Sequence, residues 1–125
     1  MRIRALRLPE VREVGRDFAV YCRALVSLKL PRLTKAGDYF TYCCISLVSL
    51  ELPELREARG CFAYRCTSLS NLTLPKLEKV GSSFALNCTS LVNLELPKLE
   101  KAGSYFSYNC PLLSKEAIPT CVSDR

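Results

Sequence analysis

Eight cysteines and no histidine define the chemistry this chain can attempt. A thiol attacks only as its thiolate, so a catalytic cysteine needs a base or a cation beside it. Histidine, the usual base and the commonest metal ligand, is missing. Cys22, Cys44, Cys66, Cys88 and Cys110 recur every 22 residues. A zinc site needs a tetrahedral cluster, commonly built on a Cys-x-x-Cys pair; an evenly spaced row supplies none. A disulfide needs Cβ atoms about 3.8 Å apart, which stacked coils do not readily give. The five row cysteines, and Cys121 in the column of Leu99, are therefore read as small buried apolar side chains. Cys43 and Cys61 are left without a role. No nucleophile–base pair, phosphate-binding loop or metal cluster is found. No catalytic residue, cofactor or metal is assigned, and the chain is expected not to be an enzyme.

The row of thiols is one column of a repeat that runs through the whole sequence. Pro falls at 9, 31, 53, 75, 97 and 119, and Phe at 18, 40, 62, 84 and 106. Leu fills 25, 47, 69, 91 and 113, and two further columns that include 28, 50, 72 and 94 and 30, 52, 74 and 96. Gly holds 15, 37, 81 and 103, with Arg59-Gly60 in the third unit. The 125 residues thus form a single array, residues 1–125, of about five and a half units.

Pro and Gly in every unit forbid a long helix. Leu-x-Leu ending on Pro reads as a short strand. The stretch from Pro97 to Gly103, with Leu99 and Ala102 three apart, fits one helical turn or a second short strand. A single unit cannot bury its own apolar face, so units must stack and each column becomes a ladder. The expected fold is a repeat solenoid with parallel strands and short turns. Its core would be the Leu, Phe and Cys ladders with Val11, Leu33, Leu55, Leu77 and Leu99.

The run Cys-x-x-Leu-x-x-Leu-x-Leu-Pro, followed by Gly-x-x-Phe and the next Cys, resembles the BspA-like subclass of leucine-rich repeats, named for a bacterial surface antigen. The resemblance covers residues 3 to 122, with units one residue shorter than is usual in that subclass. It implies a right-handed curved superhelix with the strands on its concave face, binding of macromolecules and no catalytic activity. It also implies that a cell-surface or secreted adhesin is one reading of the function. The lack of a visible signal peptide (Arg4 and Arg7 interrupt any apolar stretch) and the unpaired thiols favour the cytoplasm instead.

Strand residues pointing away from the core are the expected binding face: Arg7, Ser27, Lys29, Ser49, Glu51, Asn71, Thr73, Asn93 and Glu95. The function read from them is a protein–protein interaction module. The ends look uncapped, so a self-associating structural element, joined through residues 1 to 25, is the alternative. Glu116 in a Leu column is expected to weaken the last strand. The charge of +6 invites nucleic acid, but signs mostly alternate along Glu10, Arg32, Glu54, Lys76, Lys98 and along Glu13, Lys35, Glu57, Lys79, Lys101. That pattern suits ion pairs between coils, and nucleic acid is disfavoured. No apolar run is long enough to span a membrane. Tyr42, Tyr64 and Tyr108 share a column with Val20 and Leu86 and are expected to be partly buried; Tyr39 and Tyr105 are expected to be exposed.

Overall fold

A computed structural model describes residues 2–122. Each 22-residue unit makes one coil with two short strands. The strands are β1 (Ala5–Arg7), β2 (Glu13–Val14), β3 (Ser27–Lys29), β4 (Lys35–Ala36), β5 (Ser49–Glu51), β6 (Glu57–Ala58), β7 (Asn71–Thr73), β8 (Lys79–Val80), β9 (Asn93–Glu95) and β10 (Lys101–Ala102). The even strands form one continuous parallel sheet. They resolve the alternative left by the sequence, since Lys101–Ala102 is a strand and not a helical turn. The odd strands run parallel too, but their sheet is divided into β1-β3-β5 and β7-β9. Pairing is in register at 22 residues, as in Leu6↔Leu28 and Lys35↔Glu57. A strand β11 does not form. Lys115–Ala117, where Glu116 takes the Leu column, is a 3-10 turn. A carboxylate in that column would have to be desolvated to complete the strand.

The core is the set of ladders. Phe18, Phe40, Phe62, Phe84 and Phe106 stack with centroids 4.9–5.5 Å apart and planes within 13°, an arrangement that adds to the burial of each ring. Leu33, Leu55 and Leu77 are fully buried, whereas Val11 and Leu99, in the terminal coils, are half-buried.

The third side of each coil is a corner of unusual backbone. Among the described residues, fourteen other than glycine have positive φ, including Tyr39, Thr41, Cys43, Cys61, Ala63, Arg65, Ser83, Ala85 and Asn87. Such a conformation costs an L-residue about 1–2 kcal/mol. It recurs at alternate residues because it turns alternate peptides toward opposite neighbours. Tyr39 N–H donates forward to Gly60 C=O (2.9 Å), Ala63 N–H donates back to Phe40 C=O (3.1 Å), and Cys43 N–H donates forward to Tyr64 C=O (2.8 Å). The corner thus hydrogen-bonds to the coil above and the coil below.

The corner also turns a carbonyl inward. The Ala63 carbonyl receives only a long bond, 3.4 Å, from Cys66 N–H of its own coil. Its better partner is the Cys88 thiol of the next coil at 2.9 Å. The same contact joins Cys44 to Ala19 (2.8 Å), Cys66 to Thr41 (3.1 Å) and Cys110 to Ala85 (3.0 Å). The cysteine column is therefore a column of donors as well as of small apolar groups. Cys22 and Cys121 depart from the expectation of burial: Cys22 has no coil before it among the described residues, Cys121 lies beyond the last strand, and both are exposed.

At Gly37, Gly81 and Gly103 glycine is needed for space, not for φ. A Cβ on Gly81 would lie 2.7 Å from Gly60 N and 2.9 Å from Arg59 C, and one on Gly37 2.6 Å from Gly15 C, whereas nothing approaches one on Gly15. Gly81→Ala should therefore lower unfolding free energy by about 1–3 kcal/mol, the range for overpacking against an unyielding neighbour. Gly15→Ala should be neutral or slightly stabilising. Denaturant titration of the two variants reads the difference. Cys88→Ala, which strips the Ala63 carbonyl of its donor, should cost about 1–3 kcal/mol in the same assay. Cys121→Ala should cost far less, because its thiol is exposed and its contact to Leu99 C=O is 3.5 Å.

Candidate functional site

All eight thiols are free. Among the described residues no group of three or more His, Cys, Asp or Glu could hold a metal. Burial pushes the Cys44, Cys66 and Cys88 thiols up to about 12 from the ordinary 9.0, and raises Cys110. Cys61 is raised too, first by burial and then by the Asp38 carboxylate. These shifts run opposite to nucleophile activation, which requires a lowered pKa. The column holds protons so as to donate them to carbonyls.

The outward strand residues lie where sequence periodicity put them. Arg7, Lys29, Glu51, Asn71, Thr73, Asn93 and Glu95 are exposed, and Ser27 and Ser49 are half-buried. Register brings Arg7 beside Lys29, Lys29 beside Glu51, Asn71 beside Asn93, and Thr73 beside Glu95. Lys29 Nζ lies 3.4 Å from Glu51 Oε2, and Asn93 Nδ2 donates to Asn71 Oδ1. The face is not one uninterrupted sheet. Where β5 and β7 part, a groove of about 450 Å³ opens, lined by Val48, Ser49, Glu51, Pro53, Asn71, Thr73 and Pro75. Two apolar residues absent from the sequence reading flank this face: Val48 is 53% exposed and Val92 48%. Their column also holds Ser70, and a Leu-rich unit that admits Ser at one position signals exposure there.

A wider, shallow groove of about 830 Å³ lies over the even-strand sheet, along Glu13, Lys35, Glu57 and Lys79. These four face one another with alternating sign, so their fields largely cancel. The ion pairs between coils form in neighbouring columns, Arg32–Glu10 (3.1 Å), Lys76–Glu54 (3.0 Å) and Arg56–Glu78 (3.0 Å), instead of the Glu13 column. All keep contact with solvent, Lys76–Glu54 being half-buried, and they are worth about 0–1 kcal/mol each. Two expectations about tyrosines are corrected. Tyr108 is 61% exposed, because no further coil covers it among the described residues, and Tyr39 is half-buried against Tyr42 and Arg16. Among the described residues no helix is long and apolar enough to cross a membrane.

In the native protein, a thiol reagent should label Cys22 and Cys121 quickly, Cys61 more slowly, and the buried column only after unfolding, as mass spectrometry of the modified peptides would show. The raised thiols also set the alkaline limit. Their neutral form is favoured by folding, so their contribution is full below pH 9 and is lost as pH rises from 9 toward 12. Denaturation midpoints measured across that range should fall steadily, and should fall less for Cys88→Ala.

The chain is similar to solved leucine-rich repeat structures. It aligns with the T. pallidum leucine-rich repeat protein at 30% identity and a TM-score of 0.84, over 89% of this chain and 56% of that one. It also aligns with a leucine-rich repeat protein from Bacteroides ovatus ATCC 8483 at 22% identity and a TM-score of 0.65, over 86% of this chain and 36% of that one. It thus spans about half, or less, of the length of these relatives. No curated protein matches it. The family model for the BspA type leucine rich repeat region matches residues 2–123 in six copies. By that match and by its stacked 22-residue coils, the chain belongs to the BspA-type leucine-rich repeat family.

Proposed function

We propose that the protein is a non-enzymatic protein–protein interaction module that recognises its partner with the outward face of the odd strands. The observation that carries this reading is the in-register display of unlike side chains on a rigid support. Arg, Lys, Glu, Asn and Thr stand in two columns while the inward neighbours are Leu, buried from Leu28 onward and half-buried at Leu6 in the first coil. Leucine-rich repeat proteins are generally associated with protein–protein interaction, which agrees. Changing an outward residue costs the fold little, so this face can vary while the core columns stay fixed. The even-strand face offers one outward position per coil, alternating in sign from Glu13 to Lys79 and then placing Lys101 beside Lys79.

A paired substitution experiment separates the two faces. Lys29, Glu51, Thr73 and Glu95 are all changed to Ala in one variant, and Glu13, Lys35, Glu57 and Lys79 in another. Both should keep the parent's circular dichroism and melting. A protein captured by the parent from extracts of the source organism should bind the first variant about tenfold or more weakly, the scale of losing a hot spot. It should bind the second as well as the parent. Undiminished capture by the first variant would overturn the assignment of this face.

A further inference from the structure

The corners of the first three coils carry an aromatic cluster that stacking does not require. Tyr42 and Tyr64 are stacked with centroids 4.8 Å apart. Tyr39 and Tyr21 meet the Tyr42 ring edge-on at 5.3 and 5.6 Å. The Arg16 guanidinium sits over Tyr39, 5.7 Å from its centroid. Tyr21 is 55% exposed and the other three are half-buried. In other coils the Tyr42 column holds Val20, Leu86 and Tyr108, the Tyr39 column Asp17, Cys61, Ser83 and Tyr105, and the Tyr21 column Cys43, Arg65, Asn87 and Asn109. Those coils close with the same corner hydrogen bonds, such as Ser83 N–H to Ser104 C=O and Asn87 N–H to Tyr108 C=O. Corner closure therefore does not select tyrosine at these positions.

The charge around the cluster has one sign to spare. Residues 1–65 hold 12 basic and 7 acidic side chains. Arg23 follows Tyr21 by two residues, Arg65 follows Tyr64 directly, and Arg65 occupies the Tyr21 column two coils on. Neither arginine forms an ion pair among the described residues. Two carboxylates lie near and both are engaged: Asp17 pairs with Arg16 at 3.7 Å, and Asp38 accepts the Gly60 N–H at 2.8 Å.

We propose that this tyrosine–arginine edge is a second interaction surface, separate from the odd-strand face, and that it binds an acidic peptide segment of a partner protein. Phenol hydroxyls and guanidinium groups both donate hydrogen bonds to carboxylates. Tyr and Arg are also the residues that most often anchor protein interfaces. Single-stranded nucleic acid needs open ring faces on which bases can stack. Here Tyr42 and Tyr64 already cover one another, and Tyr39 and Tyr21 abut the same rings, so the edge offers edges and hydroxyls more than faces.

The array supplies its own substitutions for the test. One variant carries Tyr21→Asn, Tyr39→Ser, Tyr42→Leu and Tyr64→Leu, each the residue used in that column by the fourth coil. A second carries Arg16→Gln and Arg65→Gln. A control carries Tyr105→Ser and Tyr108→Leu, which removes an exposed edge-on pair (5.9 Å) from a coil, residues 97–118, without arginine. The probe is a fluorescein-labelled peptide of repeated Glu-Glu-Leu triplets, read by anisotropy against the full chain. The parent should bind it, more weakly as salt is raised. The tyrosine variant should bind about tenfold or more weakly, and the arginine variant about threefold or more weakly. The control, and the odd-face variant lacking Lys29, Glu51, Thr73 and Glu95, should bind as the parent does. No binding by the parent at millimolar protein would overturn the proposal, as would equal binding by the tyrosine variant. A thymidine oligonucleotide bound more tightly than the peptide would assign the edge to nucleic acid and overturn it as well.

Discussion

The inward carbonyl at each corner is the group that the rest of the coil has to satisfy. Three left-handed residues at alternate positions turn the chain sharply and set its peptides pairing upward and downward by turns. They leave one oxygen, that of Thr41, Ala63 or Ala85, facing the core with only a long bond from its own coil. A buried carbonyl left so would cost roughly 1–3 kcal/mol. The thiol 25 residues further on supplies the missing hydrogen. Cysteine suits this place because it is small and apolar enough for the core, yet still carries a donor. Each coil is therefore completed by its successor, and the unit of stability is the pair of neighbours.

That dependence explains the division of labour over the surface. Leu, Phe, Cys and Gly are held fixed by what lies directly above and below them. Gly81 cannot gain even a methyl group without meeting the backbone of the coil before it. Residues pointing outward answer to no such neighbour. The odd-strand face and the aromatic corner are both built from them, and the two differ in chemistry. The first is a flat, mixed polar array interrupted by the groove between β5 and β7. The second is a compact cluster of rings bordered by arginines.

The array, the strand carrying Leu-x-Leu, the outward columns and the core ladders were all legible from the 22-residue periodicity alone. Periodicity reports which residues share an environment, and Leu28, Leu50, Leu72 and Leu94 do share one. Glu116 was legible as a fault in the last strand for the same reason: an ionisable group broke an apolar column. Environments at the ends were not legible. Cys22 and Tyr108 belong to columns whose middle members are covered, and they are exposed because, among the described residues, no coil stacks over them. Tyr39 erred the other way, since its cover comes from Arg16 and Tyr42, residues its own column does not mention.

The sequence by itself determined that like residues lie over like, because a 22-residue period in five columns admits no other arrangement that buries them. Only the tertiary structure decided how each coil turns its corner and what the thiols do there. Tyr39, Thr41, Arg65 and Ala85 have no intrinsic preference for positive φ. They adopt it because hydrogen bonds to two other coils outweigh the local cost, and bonds spanning more than twenty residues leave no mark on the residues nearby.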